Sequence, residues 1–517
     1  MPVRTIKYAY EIMIDRYKCM GCLLCVKSCP VKALEARLKQ PFPSPYPAHE
    51  EVCVGCRNCQ DVCPTKAIKI RPAEPEEFVK GTWTFDVIDD IHQRASTGKA
   101  LVQGGGSNRR LPNFDDLLVV PAQLLYSPLD KYRETCNTRT VIGDNDRVEK
   151  PLELETPIMI AAMSYGALSR EAKTALAKAS NITKTAANTG EGGMLPEERQ
   201  YAHKLVVQYS TGRFGVSEEY MRAADAVEIK IGQGAKPGMG GHLLAKKVTK
   251  DIANIRRIPV GTDALSPARH LDIRSGEDLA RHIELIREVT DHRVPVIVKL
   301  AIGRVREDVK IAAQAGADAI ALDGMQGGTG AAPAVAIQHA GLPTIAALPQ
   351  AIESLEEVGL RNSVSLILSG GIRDGADVAK ALALGADVVG IARGVLVALG
   401  CRVCGQCAKD ECYWGIATQN PELTKNLDID EGAQKVANYI SAVTEELKTL
   451  TMLAGRNDVH SLTREDLRAL TIDASAITGV KLVGRDMWLT PQESLQEGYD
   501  KTYLTVHSSE TVRMAKK

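Results

Sequence analysis

The sequence predicts an α/β chain, a (β/α)8 barrel preceded by a small α+β domain, and three observations carry that prediction. First, apolar strands ending in glycine-rich turns recur through residues 151–470 with helical patterns between them. Second, two of these strands, Val364–Ser369 and Ala386–Ile391, run into Gly370-Gly371-Ile372-Arg373 and Ala392-Arg393-Gly394. Such turns let backbone N–H groups close on a phosphate, as they do after the seventh and eighth strands of a barrel. Third, the cysteines fall in dense runs, one of them just after the second turn. A phosphate clamp joined to a metal–sulfur site points to a bound redox cofactor with an electron carrier beside it.

The chain of 517 residues has room for two or three domains. A net charge of +0 and only 4% aromatic residues argue against nucleic acid as a partner. There is no apolar signal core and no run of about 20 apolar residues, so we expect a cytoplasmic protein without a membrane span. In that compartment 13 clustered cysteines mean metal rather than disulfides.

Residues 1–80 form the small domain. Cys19-x2-Cys22-x2-Cys25-x3-Cys29-Pro30 is followed by Cys53-x2-Cys56-x2-Cys59-x3-Cys63-Pro64, the two-cluster ferredoxin run. The fourth cysteine of each run serves the other cluster. Cys19, Cys22, Cys25 and Cys63 are therefore expected to hold one [4Fe–4S] centre, and Cys53, Cys56, Cys59 and Cys29 the second. So small a domain has little core without its clusters and should fold only with them.

Residues 81–150 read as a segment wrapping between this domain and the barrel. Phe85 starts a helix, Gly104-Gly-Gly106 is a turn, 115–120 is a strand or a buried loop, and Cys136 is structural. Barrel strands are predicted near 157–162, 182–187, 226–231, 294–300, 318–323, 343–348, 364–369 and 386–391. The gap from 232 to 293 is too long for a simple crossover and must hold an excursion over the barrel mouth. A doubly wound sheet is the competing topology. Residues 471–517 are a C-terminal extension.

Functional residues of a barrel follow its strands. Here those loops carry Met163-Ser164-Tyr-Gly166, Asn188-Thr-Gly-Glu191, Lys230-Ile-Gly-Gln233-Gly-Ala-Lys236, Lys299, and Asp323-Gly-Met-Gln326-Gly327-Gly328-Thr329. Glycine brings backbone close to a flat ring or a small acid. Lysines at strand ends supply positive charge for an anionic substrate or a reduced flavin.

These stretches, with Ala162–Ser169, Ser266–Ser275 and Gly415–Gln419, resemble the synthase domain of glutamate synthase in its short archaeal-type form with a fused ferredoxin domain. The resemblance covers roughly 82–470. It implies an FMN-binding barrel. The cofactor-binding positions it implies are Met163, Ser164, Gly166, Asn188, Gln233, Lys299, Gln326, Gly327, Gly328, Thr329, Gly370, Gly371, Ile372, Gly390, Ala392, Arg393 and Gly394. Glu191, Lys230, Lys236, Arg269 and Lys299 are the catalytic candidates. It further implies a [3Fe–4S] cluster on Cys401, Cys407 and Cys412; Cys404 departs from the pattern, and its spacing alone also suits a third [4Fe–4S]. Arg269 and His270 stand where the family often has two histidines, and an arginine there suits a substrate carboxylate.

The implied reaction is reductive amination of 2-oxoglutarate to L-glutamate through 2-iminoglutarate. The start, Met1-Pro2-Val3, offers no glutaminase cysteine, and the tail shows no β-helix repeats. Separate glutaminase and β-helix-type subunits are therefore expected, with ferredoxin or an NAD(P)H-oxidising subunit as electron donor. Two other readings are an N-methylglutamate-forming relative and an electron-transfer subunit whose barrel is only a scaffold.

Overall fold

The computed structural model describes residues 10–38, 43–72, 85–107, 109–401, 403 and 407–484. Cys404 and the extension beyond residue 484 lie outside them. Eight parallel strands close a barrel in sequence order: β1 Ile158–Ile160, β2 Ala186–Asn188, β3 Lys204–Tyr209, β4 Ala226–Lys230, β5 Val296–Ala301, β6 Ala319–Asp323, β7 Ser365–Ser369 and β8 Val388–Ile391. β8 pairs with β1 to complete the ring.

Three points of the strand assignment need correction. Residues 343–348 form no strand: Thr344–Ala346 is a 3-10 turn running into helix Ala347–Glu357. A short apolar run cannot be told from a buried helical start by pattern alone. The strand missing from the sequence reading is β3. It lies between Pro196–Tyr201 and Glu218–Arg222, two helices too short to show a period, so the stretch reads as one crossover. The run placed at 182–187 begins inside helix Arg170–Ile182, and its strand is β2. Lys230 consequently ends the fourth strand, and Lys299 lies in the fifth rather than the fourth.

The barrel interior is filled at its N-terminal end. Ile142, Leu152 and Leu154, from the hairpin Thr140–Ile142 with Leu152–Leu154, pack on Met159, Ala186, Val206, Ala226, Ile297, Ala319, Ile367 and Val388. With this apolar plug in its floor, the barrel opens at the opposite, C-terminal mouth. The 232–293 excursion lies over that mouth with a hairpin, His242–Leu243 against Ala264–Leu265, and helix Lys250–Arg256, before Gly276–Val289 returns as the crossover to β5. The wrapping segment adds edges: Val102–Gly105 is a strand paired with Thr329–Pro333, not a turn, and Leu117–Val119 pairs with Leu467–Ala469. Among the described residues no helix is long and apolar enough to cross a membrane.

In the N-terminal domain, Tyr10–Ile14 pairs with Ile68–Pro72 and Leu34–Arg37 with Ser44–Pro47. Its halves repeat the same backbone. Positive φ occurs at Gly21, Leu23 and Lys32 and again at Gly55, Arg57 and Lys66. Non-glycine residues visit this region rarely, so the repetition reflects the tight wrap that C-x2-C-x2-C demands of each loop.

The base of the barrel is tied by Asp318, which is fully buried. Its carboxylate accepts two bonds from Arg287 at 2.9 Å, the Val296 N–H at 2.9 Å and the Asn145 amide at 3.1 Å. Removing one partner of such a pair strands a buried charge. Asp318→Ala is therefore expected to cost about 3–5 kcal/mol, read as a lower denaturant midpoint at unchanged slope. A midpoint matching wild type would show that Arg287 finds another partner.

Candidate active site

A cavity of about 1060 Å³ opens at the C-terminal mouth. One wall is the small-residue cradle after β7 and β8. Gly370 and Gly371 have φ of 111° and 85°, and a Cβ on Gly371 would lie 2.8 Å from Gln326 Cβ. A Cβ on Gly390 would lie 2.4 Å from Ser369 Oγ. Only glycine gives both the conformation and the approach. Arg393 opens the helix after β8, and its Nη2 is buried without a hydrogen-bond partner. Burial lowers its pKa, and the neighbouring Cys401 and Cys407 act in the other direction.

The opposite wall is ionic. Lys230 Nζ meets Glu191 Oε2 at 3.0 Å, and Ser266 Oγ from the excursion donates to the same oxygen at 3.3 Å. Burial pushes the Glu191 carboxyl up, but Lys230, Lys236 and Arg256 outweigh it and hold the pKa below the usual carboxylate value. Lys236 is buried beside them and donates to Ala331 O at 3.4 Å; burial, and then the Lys230 charge, lowers its pKa against the pull of Glu191. Lys299 Nζ stands 3.3 Å from Asp323 Oδ2. Burial works against its charge, yet Asp323 and Glu228 keep the ammonium above its usual pKa.

Most of the residues singled out in the sequence line this cavity: Met163, Ser164, Glu191, Lys230, Gln233, Lys236, Lys299, Gln326 to Thr329, Gly370 to Ile372, Gly390 and Ala392 to Gly394. Three do not. Arg269 is exposed, and its neighbour His270 is buried instead, with Nε2 2.9 Å from Lys230 O. Asn188 lies beneath the mouth, accepting from Gly190 N at 2.9 Å and donating to Glu228 at 3.3 Å. Gly166 packs under the excursion, where a Cβ would meet Leu243 at 2.6 Å. Gln326 lines the cavity, but its amide binds the scaffold: Oε1 accepts from Thr344 N and Oγ1, both at 2.8 Å, and Nε2 donates to Pro112 O at 3.2 Å.

Sequence reading passed over several others. Gln208 lines the cavity and donates to buried Glu228. Lys173, in the first turn of the amphipathic helix Arg170–Ile182, resembles an ordinary surface lysine in sequence. It is buried, pairs with Glu198 at 2.8 Å, and donates to Met163 O, Asn188 O and Thr189 O, so it holds the ends of β1 and β2 together.

Eleven of the cysteines gather in three places. Cys25 has Cys19, Cys22 and Cys63 as electrostatic neighbours, and Cys59 has Cys29, Cys53 and Cys56. Burial, and then neighbouring thiolate charge, pushes Cys25 up to about 12 and Cys59 up to about 11. Positive charge at each centre is what would let such sets be thiolates together. Cys401, Cys407 and Cys412 line the mouth cavity, as does Met20 of the N-terminal domain.

Residues 109–457 match the family model described as the conserved region in glutamate synthase, and residues 12–70 match a 4Fe-4S dicluster domain. A glutamate synthase large subunit-like protein of Rhizobium meliloti is 43% identical over 419 residues, covering 78% of this chain and 95% of that one. An archaeal glutamate synthase (NADPH) of Methanocaldococcus jannaschii is 44% identical over 432 residues, covering 78% and 85%. An archaeal-type glutamate synthase (NADPH) of Thermotoga neapolitana is 42% identical over 501 residues, covering 91% and 96%. That last match runs through both the dicluster domain and the barrel. The chain therefore belongs to the glutamate synthase family, as an archaeal-type iron–sulfur flavoprotein oxidoreductase with its own ferredoxin-like domain.

Proposed function

We propose that the mouth cavity holds FMN and 2-oxoglutarate together, and that the chain converts 2-oxoglutarate and ammonia to L-glutamate through 2-iminoglutarate. The observation that carries this reading is one cavity shared by a phosphate-sized glycine cradle, an ionic wall and three cysteines. The cradle at Gly370, Gly371 and Gly394, with the unpartnered Arg393 Nη2, suits the FMN phosphate. Bound FMN supplies hydride to the imine carbon. Lys230 and Lys236 hold the substrate carboxylates. Glu191, kept ionised, orients the amine and accepts its proton as ammonia adds. Lys299 balances negative charge on the pyrimidine side of the reduced ring.

Cys19, Cys22, Cys25 and Cys63 hold one [4Fe–4S] centre in this reading, and Cys53, Cys56, Cys59 and Cys29 the other. Cys401, Cys407 and Cys412 hold a [3Fe–4S] cluster beside the flavin. Electrons enter the ferredoxin-like domain from ferredoxin or an NADPH-oxidising subunit. Ammonia comes free or from a separate glutaminase subunit, with a β-helix-type subunit in the complex.

Anaerobically purified protein is expected to carry one FMN and about eleven iron atoms, from two cubanes and a three-iron cluster. About twelve irons, with no [3Fe–4S] signal on oxidation, would assign Cys404 as a fourth ligand. Folded protein replete in iron but free of flavin would sink the FMN assignment.

Cys22→Ala should remove or convert one cubane and depress turnover with a ferredoxin-like donor. Turnover with a small reductant that reaches the flavin directly should survive better. Equal losses with both donors would place electron entry elsewhere.

Lys299→Met should lower the flavin potential, weaken FMN retention and slow turnover roughly 10- to 150-fold, the effect of losing a charge-assisted contact of about 1.5–3 kcal/mol. A raised KM for 2-oxoglutarate at unchanged potential would move Lys299 to the substrate instead.

A further inference from the structure

Lys247 closes the 3-10 turn Ala245–Lys247 in the excursion, and it is 4% exposed. Its Nζ donates to Cys407 O and Ala417 O, each at 3.0 Å. Asp410 Oδ1 lies 3.7 Å away and also accepts from Gln419 N at 2.8 Å. Gln419 in turn donates to Gly166 O at 3.1 Å and Leu168 O at 2.9 Å. Beside it, Lys246 Nζ donates to Lys409 O at 2.9 Å. Two consecutive lysines thus pin the excursion to the cysteine loop, and the same loop is pinned to the turn after β1.

A lysine this deep needs negative charge around it. Two carbonyl oxygens satisfy its hydrogen bonds, but the one carboxylate within 4 Å among the described residues is shared with a backbone amide. Burial lowers the pKa of this ammonium, and Asp410, Cys407 and Cys412 act against that shift. Thiolates held there by a cluster complete its surroundings.

We propose that Lys247 is a positioning residue whose buried charge raises the potential of the cluster on Cys401, Cys407 and Cys412, while its two carbonyl bonds tie that cluster's loop to the excursion above the substrate. The inference rests on those three cysteines holding a cluster. A cation facing the cluster favours its reduced, more negative form. It makes this centre a better electron acceptor than it would be with a neutral residue in place.

The test is an EPR-monitored redox titration of the full anaerobic holoprotein as wild type, Lys247→Gln, Lys247→Met and Lys247→Arg. Gln keeps a donor for the carbonyls and removes the charge. In both neutral variants one cluster wave should move to lower potential by about tenfold in its oxidised-to-reduced ratio, about 59 mV for one electron. The other waves should stay in place, and Lys247→Arg should return the shifted wave towards wild type. Unshifted waves in iron-replete Lys247→Gln protein overturn the proposal. Loss of the third cluster's iron from both neutral variants also overturns it, since Lys247 would then be a packing strut. Wild-type protein with only about eight irons overturns the cluster reading itself, and this inference with it.

Discussion

A buried charge is tolerated only when a partner of opposite sign is held against it, and the mouth of this barrel is assembled from such pairs. Lys173 with Glu198, Lys230 with Glu191, and Lys299 with Asp323 each join groups on different elements of the barrel. Because neither member can leave without stranding the other, the pairs fix the loops as well as the charges. Lys173 closes β1 against β2, Glu191 draws the excursion down through Ser266, and Asp323 sets Lys299 beside the sixth strand. Arg393 stands apart from this pattern, a buried guanidinium with one nitrogen unpaired, and its position beside the glycine cradle gives the cavity its second pole.

What was legible in the sequence was chemistry with a fixed spacing. Two C-x2-C-x2-C-x3-C-P runs announce their clusters because the wrap of three sulfurs round one centre leaves little choice of loop. The glycine turn after β7 is equally readable, since only glycine fits φ values of 111° and 85°. What was not legible depends on partners distant in the chain. β3 is flanked by helices of six and five residues, too short to show a period. Lys173, Lys247 and Gln208 look like surface residues until the fold brings carbonyls or carboxylates to them.

Arg269 and His270 show the same limit at one step of sequence. At the bend that Arg269 occupies, the arginine faces solvent and His270 faces the Lys230 carbonyl. Composition favoured the arginine as the carboxylate grip, and backbone direction decided otherwise. Gln326 is the complementary case. The resemblance implies it as a cofactor-binding position, and it lines the cavity, but its amide joins the wrapping segment to the turn at Thr344. A residue can border a site and serve its walls.

The hairpin that stoppers the barrel base has a consequence for traffic. With Ile142, Leu152 and Leu154 filling the floor, the barrel has, among the described residues, its doorway at the opposite mouth. Anything that enters the cavity has to use the face that already carries the excursion, the cysteine loop and Met20 of the N-terminal domain. Deliveries that share one threshold are ordered by geometry alone: whatever settles deepest has to arrive first and leave last.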